Sequence, residues 1–282
     1  MSIPSSSASS ADLDELVAFC KAHPGPDTDP ERFLRRLCSG PAAIVDHRVD
    51  GLVAVIIDLV RSASGCPPFE LVGLKGDSIA PDVARRLVEQ ALRQARDLKL
   101  QGIEFLVRPL WAPHRAMLEE NGFVFSYGDL DMDCAEPNWG ADAPIPEGWR
   151  WSDVGDEWLG EFFRIQNDAF VNVVGFFMPS EAEMRRTLKR EGVAGRILND
   201  GKRGCAILRL TLPTGIINAI ARDPAVRGKG FGRLALEEAR RQMPGRALGL
   251  NVVSTNKTAI ELYRRHGFRI IEDLPALLHR FA

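Results

Sequence analysis

Along the chain, short apolar runs alternate with longer stretches that have apolar positions every three or four residues. Short runs bounded by turn residues predict β-strands, and the helical spacing predicts amphipathic helices. The predicted strands of the first half cover residues 42–47, 52–60, 70–74, 103–107 and 125–134, and its predicted helices cover residues 12–22, 30–38, 81–98 and 113–120. Interleaved strands and helices are typical of the α/β and α+β classes.

The second half repeats the first in outline. A strand opens at Trp151, and helices are predicted over 157–170 and 180–191, the second with a capping box of Ser180 and Glu183. Strands follow over 216–221 and 248–253, then a helix and a last strand. In both halves a Gly-Phe pair ends the last helix, Gly122-Phe123 and Gly267-Phe268, so the chain is predicted to hold two related units.

Length and composition set the broad class. A chain of 282 residues is large for one domain, and residues 135–148 are rich in proline and lack periodicity, which predicts domains at 1–140 and 141–282. A formal net charge of −2 gives no reason to expect nucleic acid or an anionic membrane as partner. The five cysteines are scattered without metal-ligand spacing, so we expect no metal and a reducing, cytoplasmic setting.

A glycine-rich run lies between the predicted strand 216–221 and a helical pattern. It consists of Arg227, Gly228, Lys229, Gly230, Phe231 and Gly232. A strand, a glycine turn and a helix start together present backbone N–H groups at a positive dipole end, which suits a phosphate. The spacing matches neither the phosphate loop of nucleotide hydrolases nor the dinucleotide fingerprint, and alone it also fits an ordinary turn.

A second motif follows this run. The strand 248–253 leads to Asn256, and the next helix carries Ala259, Leu262 and Tyr263 before Gly267-Phe268. Together the two motifs resemble the GNAT superfamily of acyl-CoA-dependent N-acetyltransferases. The resemblance implies an α/β (α+β) fold of two GNAT-like units, each a mixed, mainly antiparallel sheet flanked by helices.

The resemblance also implies roles for particular residues. Backbone N–H groups of the glycine-rich run would hold the pyrophosphate of acetyl-CoA, and Ile220, Ala221 and Arg222 would pair with its pantetheine arm. Asn256 would contact the same arm, and Tyr263 would protonate the departing CoA thiolate. The reaction would be direct attack of an amine on the thioester, without a metal or a covalent enzyme intermediate.

Tyr263 is a reasonable proton donor on chemical grounds too, because a phenol stays protonated near neutral pH. The alternative is an amphipathic core residue on a helix, and the surrounding motif favours the proton donor. Two positions depart from the usual GNAT pattern: Arg222 replaces a small apolar residue, and Asn218 stands where many relatives carry a glutamate base. The group that deprotonates the amine is therefore left open.

The first half lacks the residues of this chemistry. Residues 80–85 replace the glycine-rich run and contain no glycine, while Asp82 would oppose a phosphate and Leu118 stands in the place of Tyr263. We predict a degenerate N-terminal unit that packs against and shapes the substrate cleft, in a tandem arrangement that resembles the organisation of mycothiol synthase.

The acceptor site is less defined by the sequence. The segment 171–179 could line an apolar pocket or pack on the sheet, and Phe176 lies within it. Asn167 and Asp168 could hold a cationic amine, whereas Asp129, Asp131 and Asp133 are interpreted as a wetted sheet face. We predict acetyl transfer to a primary amine, on a small molecule or a peptide; the alternative is an acyl-CoA-binding sensor without turnover.

Overall fold

The computed structural model describes residues 18–23, 42–47, 52–57, 61–62, 66–135, 143–174 and 176–281. Its chain forms two compact units. Unit 1 comprises Met1–Tyr127 with Leu274–Ala282, and unit 2 comprises Gly128–Asp273. Within the described ranges, no helix has both the length and the apolar character needed to cross a bilayer.

The strands of unit 1 are β1 (Ala42–His47), β2 (Leu52–Ile57), the short β3 (Arg61–Ser62), β4 (Pro68–Leu74), β5 (Gly102–Leu106) and, from Leu274 on, β13 (Arg269–Arg280). Apart from β3, they are hydrogen-bonded in the order β1-β2-β4-β5-β13. Only β4 and β5 run parallel, and the other neighbours are antiparallel. The sheet is therefore mixed and mainly antiparallel, as predicted.

Besides the helical residues 18–22, the described part of unit 1 contains two α-helices. Helix α1 (Pro81–Asp97) connects the parallel strands, and α2 (Arg115–Glu120) follows β5. Helix α1 buries a continuous apolar stripe, which the sequence periodicity predicted, against Ile103 and Phe105 of β5. Residues 18–22 are helical, within the predicted helix 12–22, whereas the predicted helix 30–38 lies outside the described residues.

Unit 2 repeats this strand arrangement. Its strands are β6 (Val124–Cys134), β7 (Arg150–Asp153), β9 (Val193–Asn199), β10 (Gly204–Thr211), β11 (Ile216–Arg222) and β12 (Leu248–Val253), with the short β8 (Phe177–Met178). The sheet order is β6-β12-β11-β10-β9-β7. Only β11 and β12 are parallel, as β4 and β5 are in unit 1. The sequence analysis predicted neither β9 nor β10.

Helices cover both faces of the unit 2 sheet. They are α3 (Asp156–Phe170), α4 (Glu181–Leu188), α5 (Phe231–Gln242) and α6 (Lys257–Arg265). Helices α3 and α4 pack on one face with Ile197, Ile207 and Ala221. Helices α5 and α6 pack on the other face, around Leu250. The predicted α/β fold with a mixed sheet and flanking helices is confirmed.

The last strand of each half pairs in the other unit. Strand β6 pairs with β12 from Asp129 to Cys134, and β13 pairs with β5 from Ala276 to Arg280. The compact units therefore differ from the predicted domains 1–140 and 141–282, whose extent stays a prediction. Part of the predicted linker 135–148 lies outside the described residues; from Ala143 on it packs on unit 2, where the Ala143 N–H donates to the Glu237 carboxylate.

Candidate functional site

Strands β11 and β12 separate after a short parallel contact. Their register covers only Ile216 with Gly249 and Ile217 with Leu250, although β10 accompanies β11 as far as Arg222. Beyond Ile217, the described strands leave the facing edges of β11 and β12 without strand partners. Such edges offer N–H and C=O groups to an extended ligand. Ile220, Ala221 and Arg222, predicted to contact the pantetheine arm, lie on this stretch.

A β-bulge marks the point of separation. The register of β10 and β11 shifts so that Ile217 and Ala219 have partners in β10, and Asn218 is the extra residue. Thr211 Oγ1 donates a hydrogen bond to Asn218 Oδ1 over 2.8 Å. Bulges bend a strand and increase its twist, which accounts for the departure of β11 from β12.

The glycine-rich run closes the carboxyl end of β11. Gly228 and Gly230 have φ angles of +76° and +81°, and a Cβ on either would meet nothing within 4 Å. Gly230 is the N-cap of α5, whose first turn carries no acidic residue. Open space beside uncapped helix N–H groups forms an anion cradle, and the exposed Arg227 and Lys229 add positive charge. The residues present therefore fit a pyrophosphate.

An ion-pair network fixes the turn before this run. Asp223 accepts a hydrogen bond from the Ala225 N–H over 2.8 Å and another from Arg164 Nη2 over 2.7 Å. The Ala225 N–H, followed by the Arg164 guanidinium, holds the pKa of Asp223 below its usual range. Arg164 also pairs with Glu161 and with Asp168, so α3 is tied to the end of β11.

Tyr263 lies on α6 with its ring buried beside Phe268, 5.8 Å between ring centroids. Burial raises the pKa of Tyr263 to about 12, against the opposing effect of the positive charge on Arg222. The hydroxyl is therefore protonated at neutral pH and can donate a hydrogen bond. Tyr127, the other tyrosine of the chain, donates its hydroxyl to Glu104 of unit 1 over 2.7 Å.

Three predicted cofactor residues have structural roles as well. The side chain of Asn256 caps α6 by accepting a hydrogen bond from the Ala259 N–H over 3.2 Å. Phe231 is buried, with its ring 6.0 Å from that of Trp149, so only its backbone is available to a ligand. Gly232 lies against Leu262 of α6.

The residues predicted to bind the acceptor, Asn167, Asp168 and Phe176, each contact a different residue. Asp168 is neutralised by Arg164 at 3.0 Å, and the Asn167 carbonyl accepts the N–H of Val171. Phe176 stacks on Phe170, with centroids 4.0 Å apart. Their part in amine binding stays a prediction. Asp129, Asp131 and Asp133 are half-buried, and Asp131 accepts a hydrogen bond from the Asn251 amide on β12.

Gln166 was not singled out from the sequence. It is fully buried on α3, on the stripe that includes Phe162 and Ile165, and neither side-chain amide atom has a hydrogen-bond partner among the described residues. The stripe packs with Ala221 of β11. A polar residue in an otherwise apolar helical stripe is the signal that could have identified it, because an unpartnered buried amide is costly.

The corresponding strands of unit 1 carry aromatic side chains in the core. Strands β4 and β5 also share only a short parallel register, Pro68 with Glu104 and Phe69 with Phe105. Phe69 and Phe105 stack at 4.3 Å, and the Trp111 ring lies 4.8 Å from that of Phe105. Leu118, at the position of Tyr263, is completely buried. The two sheets share a layout, but their chemistry differs.

Comparison with known proteins agrees with this geometry. Residues 190–270 match the family model of the acetyltransferase (GNAT) domain. This GNAT match covers β9 to α6, a stretch that includes the separated strands, the glycine-rich run and the position of Tyr263. GNAT proteins use acetyl-CoA and act on amines of small molecules or peptides, so acyl transfer is supported in general terms. No curated protein matches the chain in sequence.

Solved structures extend the likeness of the fold to the whole chain. A GCN5-related N-acetyltransferase from Sphaerobacter thermophilus superposes with a TM-score of 0.64 at 17% identity, covering 97% of this chain and 94% of that one. One from Kribbella flavida gives 0.58 at 15% identity, with 99% and 98% covered. A tandem GNAT protein from the clavulanic acid biosynthesis pathway gives 0.60 at 15% identity, with 99% and 97% covered.

Proposed function

We propose that unit 2 transfers the acetyl group of acetyl-CoA to a primary amine. The observation that carries the proposal is the continuity of three features: the separated edges of β11 and β12, the glycine-rich run at the end of β11, and Tyr263 on the helix after β12. An extended, phosphate-ended ligand fits the first two features, and the third supplies a proton donor beside it.

Binding would depend chiefly on the backbone. The N–H groups of residues 228 and 230–232 would hold the pyrophosphate. Those of Arg227 and Lys229 already donate to Pro224 and Val226, so these two residues would contribute the charge of their side chains. The exposed edge of Ile220, Ala221 and Arg222 would pair with the amides of the pantetheine arm, as a neighbouring strand does. The side-chain amide of Asn256 would add a contact through its nitrogen, because its oxygen already caps α6.

The chemical step needs a neutral amine close to the thioester. The amine nitrogen would form the new C–N bond as the C–S bond breaks, and Tyr263 would donate its hydroxyl hydrogen to the sulfur. Asn218 cannot take the amine proton, since an amide is not a base near pH 7 and its oxygen already accepts from Thr211. That proton would leave to water. Most of the rate would come from positioning.

Unit 1 would contribute structure and not catalysis. The aromatic cluster of Phe69, Phe105 and Trp111 lies in the core at the paired part of β4 and β5, and α1 begins without a glycine-rich run. Asp82 lies in the first turn of α1, where its carboxylate occupies the helix end that a phosphate would need, and it already pairs with Arg86. These residues support the proposal that the N-terminal unit is degenerate.

One observation favours a second function. Strand β11 carries Asn218 where a carboxylate base would be expected, which would suit a protein that binds acyl-CoA as a sensor without turnover. The retained Tyr263 with a protonated hydroxyl argues for turnover instead.

The test is CoA release from acetyl-CoA in the presence of a panel of amines. Wild type is compared with Tyr263→Phe, and with Tyr127→Phe as the matched tyrosine control. We expect amine-dependent thiol release that falls at least tenfold in Tyr263→Phe while acetyl-CoA affinity persists. No release with any amine, despite binding of acetyl-CoA, would favour the sensor.

A further inference from the structure

The side chain of Arg222 lies on a defined face of β11. Side chains alternate along a strand, so Arg222 shares a face with Ile220 and opposes Ala221. Ile220 packs against the cluster that contains Tyr263, whereas Ala221 packs against α3. Arg222 is therefore on the Tyr263 face of the strand, at its carboxyl end beside the glycine-rich run. It is half-buried there.

Among the described residues, Arg222 has no carboxylate partner. The neighbouring acids are engaged by other arginines: Asp223 by Arg164, Glu237 on α5 by Arg233, and Glu238 by Arg196 and Arg241. On β10, burial raises the pKa of Cys205 to about 12, so its thiol is neutral. Arg203, whose charge acts on both Asp223 and Cys205, and the loop residues Arg227 and Lys229 are cations and offer Arg222 no counter-ion. A half-buried guanidinium without a counter-ion has donors available for an anion.

The face of the strand indicates which anion this is. In the proposed reaction the amine attacks the carbonyl from one side, and the sulfur departs towards Tyr263. Arg222 lies on that same face, and the acceptor would approach from the other. The anion that develops on the Tyr263 face is the CoA thiolate. Proton transfer to it from Tyr263 is uphill, because a thiol is the stronger acid: the pKa of a cysteine thiol is about 8.5, whereas that of Tyr263 is about 12.

We propose that Arg222 is a second catalytic residue, whose guanidinium pairs with the departing sulfur so that CoA leaves as a thiolate. This inference rests on the proposed function of unit 2. The electron pair of the C–S bond moves to sulfur, Tyr263 donates a hydrogen bond without giving up its proton, and water protonates the thiolate after release. In this mechanism Tyr263 acts by hydrogen bonding to the sulfur and not by full proton transfer.

The test compares the binding of CoA with that of desulfo-CoA, which lacks the sulfur. Calorimetry is run from about pH 7 to about pH 9.5, on either side of the thiol pKa of about 8.5. The proteins are wild type, Arg222→Met, Arg222→Lys and Lys229→Met. A cation beside the sulfur favours the thiolate, so the affinity of wild type for CoA relative to desulfo-CoA should rise with pH, tenfold for each unit by which the bound thiol pKa is lowered.

In Arg222→Met the ratio should be flat with pH, and Arg222→Lys should restore part of the rise. Lys229→Met should weaken both ligands alike and keep the rise. For the two Arg222 variants, unchanged desulfo-CoA binding shows that the protein is folded. A flat ratio in wild type, or an equal rise in Arg222→Met, would overturn the role of Arg222. If neither ligand binds to wild type, the proposed function fails instead.

Discussion

Leu262 of α6 packs so closely on Gly232 of α5 that a Cβ on the glycine would lie 2.8 Å from Leu262 Cδ2. This contact brings the first turn of α5 next to the helix that carries Tyr263. The glycine-rich run therefore serves two purposes. Gly228 and Gly230 leave open space for a ligand, and Gly232 lets the two helices approach.

Gly232→Ala should separate stability from activity. The added methyl group displaces the flexible end of Leu262, while alanine favours the helix by about 0.5–1 kcal/mol, so we expect little net change in the free energy of unfolding. Displacement of Leu262 next to Tyr263 should lower turnover severalfold. The control is Gly160→Ala on α3, where a Cβ meets nothing within 4 Å. It should stabilise the protein by about 0.5–1 kcal/mol with unchanged turnover. Equal turnover in both variants would contradict the role of the Gly232–Leu262 contact.

Tyr263 should also affect stability at alkaline pH. Its pKa is raised to about 12 in the folded protein, whereas an unfolded tyrosine titrates near 10. The folded state therefore holds the proton more tightly, and wild type should lose stability as the pH rises from about 10 to about 12, by up to about 2–3 kcal/mol. Tyr263→Phe has no hydroxyl at this position to ionise, so its free energy of unfolding should not show this decrease. The measurement is chemical unfolding of both proteins against pH, and a constant difference between them would show that Tyr263 is not buried as described.

Gln166→Leu should stabilise the protein. The replacement has a similar size and removes two buried amide atoms that have no partner among the described residues. We expect a gain of about 1–3 kcal/mol in the free energy of unfolding, measured with denaturant. Gln166→Glu is the opposing variant, because a charge at the same buried site should destabilise strongly. A loss of stability in Gln166→Leu would mean that a bound water or another group satisfies the amide.

Arg164→Met should loosen the turn before the glycine-rich run. Asp223 and Glu161 would lose their shared cation, at a cost of about 1 kcal/mol for partly exposed pairs, and acetyl-CoA binding should weaken. The pKa values of both carboxyls are lowered in the folded state, so this stabilisation is present above about pH 4 and is lost as the pH falls further. The control is Arg86→Met, which removes an exposed pair with Asp82 in unit 1. Its acetyl-CoA affinity should match wild type, and a decrease equal to that of Arg164→Met would refute the network's role.

Local signals predicted many elements well. The capping box of Ser180 and Glu183 is present, with both reciprocal hydrogen bonds, and strand β12 has the predicted bounds Leu248–Val253. The helix after Asn256 begins and ends as its cap and Gly267 predicted. In each case the determining interaction lies within a few residues of the chain, where sequence patterns are informative.

The missing elements depend on distant partners. Strand β9 contains Gly195, where a Cβ would lie 2.6 Å from Leu188 Cδ2, and Arg196, whose charge is balanced by Asp153 and Glu238. A glycine and a charged residue weaken the local sequence pattern of a strand. They are tolerated in β9 because of contacts with residues that are distant in the chain. The pairing of β6 with β12 and of β13 with β5 could not be predicted from the sequence either. The apolar pattern of a strand does not indicate which strand it will pair with.

Sequence motifs located most of the candidate site but not its electrostatics. The order of the glycine-rich run, Asn256 and Tyr263 is a local pattern. The engagement of Asp168 by Arg164, and the position of Arg222 on the Tyr263 face, follow from the packing of α3 and α6 on opposite sides of β11. Neither feature could be predicted from the sequence, because both depend on how the helices pack on the sheet.

The central claim is that unit 2 binds acetyl-CoA between β11 and β12 and that unit 1 does not. Calorimetric titration of the full chain with acetyl-CoA tests it most directly, with the double variant Gly228→Ala and Gly230→Ala as the control for location. Both glycines have positive φ angles, which alanine disfavours, so the cradle should be distorted. We predict one site per chain that is weakened at least tenfold in the double variant. Two sites per chain, or one site unaffected by the double variant, would contradict it.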